Sequence, residues 1–171
     1  FHYALKNGYK GVITIDGNGK DGLSALPEFL RLLEAGYDHI QGSRYIPGGH
    51  HENTPLARHL ALKILHAPLI SLASKTPQTD TTNGFRGYSS RLLSDKKVAV
   101  FRDIFDTYEL HYHLAIESGL RGDLKNIETP VSRVYPPKGK IPTKISPIRG
   151  SLHVLSILFK AVLGKYRSNR G

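Results

Sequence analysis

Apolar residues recur along the chain in two rhythms. A short run over 11–15, with Val12, Ile13, Thr14 and Ile15, predicts a buried strand. The stretch 4–8 before it has the pattern of a helix end, with Gly8 as its stop. Leu26, Phe29, Leu30 and Leu33 then fall on one stripe of a predicted helix over about 24–35, which Gly36 closes. Pro27 is admissible there because it lies in the first turn. The next strand is predicted over 37–42. Strand, helix and strand within roughly 30 residues predict a βαβ unit and an α/β sheet.

A loop rich in Gly, Pro and His follows over 43–53. A helix is predicted from about residue 55, with Leu56, Leu60, Ile64 and Ala67 on one face and Pro68 kinking or ending it. Polar loop over 76–83 leads to a strand over 84–89, then a helix over 106–118 that stops at Gly119. The stretch 123–135 contains a strand interrupted by Pro130, and the basic, proline-rich 136–147 is expected to form an ordered loop or flap. An amphipathic helix over 150–164 and a basic tail complete the pattern, with no internal repeat and no linker. The longest apolar stretch, 152–163, contains His153 and Lys160 and falls short of the roughly 20 residues of a membrane span.

Composition narrows the classes. With 39% hydrophobic and 22% charged residues, the 171-residue chain is neither disordered nor fibrous and suits one domain or the larger part of one. The absence of Cys excludes disulfides, thiolate metal sites and a cysteine nucleophile. Methionine is absent too and the sequence opens with Phe1, so an excerpt of a longer protein is expected. Twenty-four basic against 14 acidic residues give a net charge of +10, which favours anionic partners: nucleic acid, a phosphorylated substrate or an acidic membrane surface.

Candidate chemistry gathers just after predicted strands, where open α/β sheets bind ligands. Asp16, Asn18 and Asp21 offer oxygens on a glycine-rich turn, suited to a hard cation with a diphosphate or simply to an Asp/Gly turn. GSRYIPGG (42–49) presents Arg44, whose planar fork suits a diphosphate, and Arg58 follows 14 residues later. TDTTNGFRGYS (79–89) crowds hydroxyls with Asp80 and Arg86, which could equally be a loop cap and its ion-pair partner. Arg133, Lys138, Lys140 and Lys144 form a phosphate clamp or a solvated basic surface. His50 and His51 are adjacent and unsuited to chelating one ion, and His111 and His113 point to different sides of a helix.

The segments VITID (12–16), GSRYIPGG, TDTTNGFRGYS and TPVSRVYPPKGKIPTKIS (129–146), in this order, resemble family 2 glycosyltransferases of the branch containing dolichyl-phosphate mannose synthases and other polyprenyl-phosphate glycosyltransferases. The resemblance covers about residues 3–148. It implies a GT-A, Rossmann-like fold, a mostly parallel sheet flanked by helices, whose N-terminal nucleotide-binding part would precede Phe1. It divides the chain into a transferase portion over 1–148 and an amphipathic helix with basic tail over 149–171.

The resemblance further implies an inverting transferase that moves a sugar from a nucleotide-sugar, first of all mannose from GDP-mannose, to a polyprenyl or dolichyl phosphate. Asp16 and Asn18 take the places of the DxD acids that hold Mg²⁺ or Mn²⁺. Asn18 replaces the usual second acid and Lys20 a polar uncharged residue, which makes the Lys20 ammonium a candidate substitute charge. Arg44, Arg58, Arg86, Arg133, Lys140 and Lys144 are implied phosphate-binding residues with Lys20, and Asp80 is the acid near the reaction centre. Glu109 matches a glutamate of the corresponding helix, with a buried ion pair as the alternative. The implied partners are donor, lipid phosphate and the cytoplasmic face of a membrane, met by the C-terminal helix with Arg149, Lys160, Lys165, Arg167 and Arg170; nucleic acid is not among them. The alternatives are transfer to a saccharide hydroxyl, with Asp80 as general base, and a binding-only homologue. Arg44→Ala is expected to abolish transfer with the fold intact.

Overall fold

In the computed structural model the described residues are 1–136 and 149–168. In chain order they form α1 (His2–Lys6), β1 (Gly11–Thr14), a 3₁₀ turn (Leu23–Ala25) leading into α2 (Leu26–Glu34), β2 (His39–Ser43) and β3 (His50–Glu52). Next, α3 (Leu56–Ala61) runs through a π-helical turn (Leu62–His66) into α4 (Ala67–Ser74). The rest is β4 (Arg86–Ser89), α5 (Ser90–Ser94), α6 (Glu109–Leu120), β5 (Asn126–Pro130), β6 (Ser132–Val134) and α7 (Arg149–Val162).

The main sheet has the order β1-β4-β2-β5, and the α/β class expected from the sequence holds. β4 is antiparallel to both neighbours while β2 and β5 are parallel, so the sheet is mixed rather than mostly parallel. The reason lies in the loop before β4. Gly84 packs on Asp16 and Arg44 binds Asp80, so the chain enters β4 at the end where β1 and β2 finish and must run back.

Side chains alternate across β4 and divide the core. On one face α2 packs Phe29 and Leu32 against Ile40, Phe85 and Val131, with the Phe29 and Phe85 rings stacked at 4.4 Å. On the other, Tyr88 meets Leu92, Leu93 and Leu114. Helix α6 lies between the sheet and an outer layer of α4 and α7, where Ile70, Tyr112, Ile116, Ile157 and Leu158 meet. This explains why α6 is buried nearly all round.

Three predicted elements differ in detail. Pro68 does not end its helix: the turn widens to π geometry over Leu62–His66, just before the missing Pro68 N–H, and the helix runs on to Ser74. The resulting helix, Leu56–Ser74, has 19 residues and over an 18-residue window a mean hydropathy of 1.2, and among the described residues it alone is long and apolar enough to cross a membrane. Arg58, His59, Lys63 and His66 break its apolar pattern, which is why no run of that length stands out in the sequence. Helix α6 continues past Gly119, where an added Cβ would lie 2.6 Å from the Ser74 carbonyl oxygen, so the glycine serves close helix packing and not a stop. Helix α2 leaves Leu30 exposed and buries Leu32 instead. The expected flap falls largely on 137–148, outside the described residues.

Candidate functional site

Beyond the ends of β2 and β5 the chain forms a small second sheet. β3 pairs in parallel with β6, with His51 opposite Arg133. The Val131 amide donates to Ser43 O and the His50 amide to Val131 O, which continues the β2–β5 pairing into this ribbon. On the other edge of β6, Asp21 bridges Arg133, Gly22 N–H donates to Ser132 O (2.9 Å) and Val134 N–H to Lys20 O (2.9 Å). Strand β6 therefore ties the glycine-rich turn after β1 to the loop after β2.

Arg44 leaves the end of β2 and meets Asp80 head-on. Nε donates to Asp80 Oδ2 at 2.6 Å, Nη2 to Oδ1 at 2.8 Å, and the Arg44 amide to Oδ2 at 3.2 Å. Asp80 is 0% exposed and Arg44 5%. Burial disfavours the Arg44 charge, but the hydrogen bonds and charge of Asp80 outweigh it and raise the guanidinium pKa above its ordinary value. Glu128 on β5 sets the Asp80 loop by accepting from the Thr79 and Asp80 amides and the Thr79 hydroxyl. Both Asp80 oxygens are thus engaged by Arg44.

Tyr135, just past β6, is the centre of the site. The Lys20 ammonium lies 4.8 Å from its ring centroid and the Arg133 guanidinium 5.6 Å. Burial pushes the Tyr135 phenol up; the charge and hydrogen bond of Arg133, the charge of Arg44 and the hydrogen bond of Arg58 outweigh it and bring the phenol below its ordinary value. Four cations expected to bind phosphate, Lys20, Arg44, Arg58 and Arg133, thus surround one phenol. Such convergence of fixed donors suits a polyanion.

The acids of the turn are also committed. Arg133 Nη1 donates to both Asp21 oxygens, at 2.7 and 2.6 Å, and Nη2 to Asp16 Oδ2 at 2.9 Å. Asn18 Oδ1 accepts from the Lys20 amide at 3.2 Å, and Asn18 Nδ2 donates to Asp16 at 3.4 Å. Burial lowers the Lys20 pKa, and the charges of Arg133 and Arg58 act in the same direction. A Mg²⁺ or Mn²⁺ ion at such a site is held by one or two available carboxylates, with water and substrate phosphate completing its shell. Here the carboxylates already hold Arg133, the amide oxygen holds backbone, and no group of three ligating side chains forms among the described residues. The donor set as arranged does not fit a divalent cation.

Two curated proteins align with part of this chain. Polyprenol monophosphomannose synthase of Mycolicibacterium smegmatis is 31% identical over 93 residues, 54% of this chain and 35% of that protein. Dolichyl-phosphate hexose transferase of Haloferax volcanii is 36% identical over 84 residues, 49% of this chain and 36% of that protein. The chain is a distant, partial homologue of both. It spans about a third of the length of either relative. No family model matches the chain.

The site itself is assembled only in part from the expected residues. Asp16, Asn18, Lys20, Arg44, Arg58, Asp80 and Arg133 come together; Arg86 lies in the sheet, 4% exposed, donating to the Thr81 carbonyl at 2.7 Å beside His39 and His111. Lys140 and Lys144 lie outside the described residues. Glu109 accepts from the Thr107 amide and hydroxyl just ahead of α6. His51 and His59 pack around Tyr45, at 4.9 and 5.3 Å, and brace the loop against α3. His111 and His113 diverge as expected, to the Tyr88 hydroxyl and the Val98 carbonyl. The residues that sequence reasoning missed are Tyr135, Glu128 and Asp21 in its role as the Arg133 anchor. The signal for the last was its adjacency to Lys20; the other two carry none without the strand register.

Proposed function

We propose that the chain is the acceptor-side portion of a glycosyltransferase that moves a sugar from a nucleotide-sugar to a polyprenyl or dolichyl phosphate at a membrane surface. The observation that carries this reading is the convergence of Lys20, Arg44, Arg58 and Arg133 around Tyr135, in a chain homologous to two such transferases. In the proposed step an oxygen of the acceptor phosphate attacks the anomeric carbon from the face opposite the leaving group, which inverts the configuration. The carbon's bond to the donor diphosphate breaks, and the nucleoside diphosphate departs with the electron pair. A phosphate acceptor is already anionic near neutral pH and needs little help from a base. The engagement of both Asp80 oxygens by Arg44 favours this acceptor over a saccharide hydroxyl, which would need Asp80 as base. The task left to the protein is electrostatic, collecting two polyanions and stabilising the leaving diphosphate.

Membrane association is supported by α3. Leu56 and Leu60 on α3 and Ile64 in the π-helical turn that follows are 71%, 45% and 72% exposed, on the helix that carries Arg58. Leu152, Phe159 and Leu163 add an exposed apolar stripe on and just past α7, near Arg149, Lys160 and Lys165. Apolar stripes with basic flanks suit an anionic bilayer, and a lipid phosphate could then reach the cations while its chain stays in the membrane.

The test is to supply full-length protein with polyprenyl phosphate and a panel of GDP- and UDP-sugars, GDP-mannose first. One donor is expected to give a glycosyl phospholipid. Product only with saccharide acceptors would move the reading to hydroxyl transfer, and donor binding without product would make the protein a binding-only homologue.

A further inference from the structure

The acids that would hold a metal already hold a cation of the protein's own. Asp21 is the inner member: its side chain is 1% exposed and both oxygens accept from Arg133 Nη1. Asp16 is the outer member, 42% exposed, bound through Nη2 of the same guanidinium. This is no swinging surface contact. The bridge between Asp21 and Arg133, and the hydrogen bonds from Gly22 to Ser132 and from Val134 to Lys20, fix the two backbones in register. The seat of Asp16 is equally specific, since a Cβ on Gly84 would lie 2.2 Å from its Oδ1.

We propose that Arg133, locked between Asp16 and Asp21 with the Lys20 ammonium beside it, supplies the positive charge that receives the donor diphosphate, so that the site works without a divalent metal. The inference rests on the transferase reading, which makes a diphosphate the ligand.

Charge supports it. Two carboxylates already face two cations, and an incoming divalent ion would be repelled by Lys20, Arg133 and Arg58 together. To gain Asp21 as a ligand, the ion would have to eject Arg133 from a buried carboxylate and leave that guanidinium unpaired, which is costly. Asn18 cannot compensate, because it is neutral and its oxygen closes the turn onto the Lys20 amide. A guanidinium held this way is pre-organised for phosphate oxygens in the manner of a fixed ion.

Two measurements test this, one independent of activity. Mn²⁺ binding to full-length protein is followed by electron paramagnetic resonance in the wild type, in Asn18→Asp/Lys20→Gln and in Arg133→Gln. The Asn18→Asp/Lys20→Gln variant leaves the buried Arg133–Asp21 pair and the backbone hydrogen bonds of β6 in place, so it serves even if Arg133→Gln fails to fold. It restores an acid and removes a charge, and it is expected to bind Mn²⁺ at least about tenfold more tightly than wild type. Wild-type binding as tight as that of this variant would overturn the proposal. Separately, glycolipid formation in EDTA is expected to match that in Mg²⁺. Product in Mg²⁺ that disappears in EDTA would overturn the proposal and leave the transferase reading standing. No product in either condition would remove the reading and the proposal with it.

Discussion

Truncating Arg44 to alanine removes more than a phosphate ligand. Asp80, 0% exposed, would lose its paired cation, and breaking a buried ion pair from one side costs about 3–5 kcal/mol. Arg44→Ala is therefore expected to melt at clearly lower temperature as well as lose transfer, in place of the intact fold expected from the sequence. Adding Asp80→Asn should restore part of the melting temperature and none of the activity; full recovery of activity would contradict the assignment of Arg44. Tyr135→Phe makes the complementary test. The ring and its packing on Lys20 and Arg133 remain while the hydroxyl contacts with Arg133 and Arg58 go. Transfer should fall by about 10²-fold with the melting temperature nearly unchanged. Arg44 was legible in the sequence because it follows a predicted strand, and Arg58 and Arg133 through the resemblance of the segments that hold them. Tyr135 was not, because its importance comes from strand register, which puts residues far apart in sequence around one ring.

At the scale of elements, α2 shows where periodicity stops being informative. Leu26, Phe29 and Leu33 face the sheet as their spacing predicts, but Leu30 lies about 100° round from Phe29 and points outward. Leu32, on the other flank of Phe29, takes the buried place. Phe29→Ala, which removes half of the stack on Phe85, should cost about 3–5 kcal/mol in chemical denaturation. Helix α3 presents the opposite case. Its stripe of Leu56, Leu60 and Ile64 reads as a core face in the sequence, yet it is exposed, because only the α4 half of the helix packs on α6. Hydrophobic spacing defines a face but not its partner. Leu60→Ser/Ile64→Ser should leave the melting temperature unchanged and weaken sedimentation with anionic vesicles; unchanged sedimentation would remove α3 from the membrane contact.

The whole molecule responds to acid through buried rings. Burial, with Arg86 adding to it, pushes His39 down to about 3. Arg86 and then burial bring His111 to about 3, and burial brings His113 to about 4. In the unfolded chain the same rings titrate near 6.5, so below that pH the unfolded state binds protons that the fold refuses. Stability is thus full above about pH 6.5 and falls as the pH drops, by about 2 kcal/mol for each ring at pH 5. Thermal melts between pH 7.5 and pH 5 should show the loss, and His39→Gln should reduce it. The α/β class, the strands of the main sheet and most of the charged site were readable from apolar spacing and motifs, while β3, in a stretch read as loop, and the short α5 were not. The reversed strand β4 was not, since strand direction depends on which loop must reach Asp16 and Arg44.

The central claim, that the cations around Tyr135 receive lipid phosphate and donor diphosphate for sugar transfer, is tested most directly with labelled nucleotide-sugar and polyprenyl phosphate. Full-length wild-type protein is compared with Arg58→Gln, a change at an exposed residue that leaves the fold in place. Labelled glycolipid should form with the wild type and fall by about 10²-fold in the variant. Equal product from both proteins, or none from the wild type with any donor, would contradict the claim.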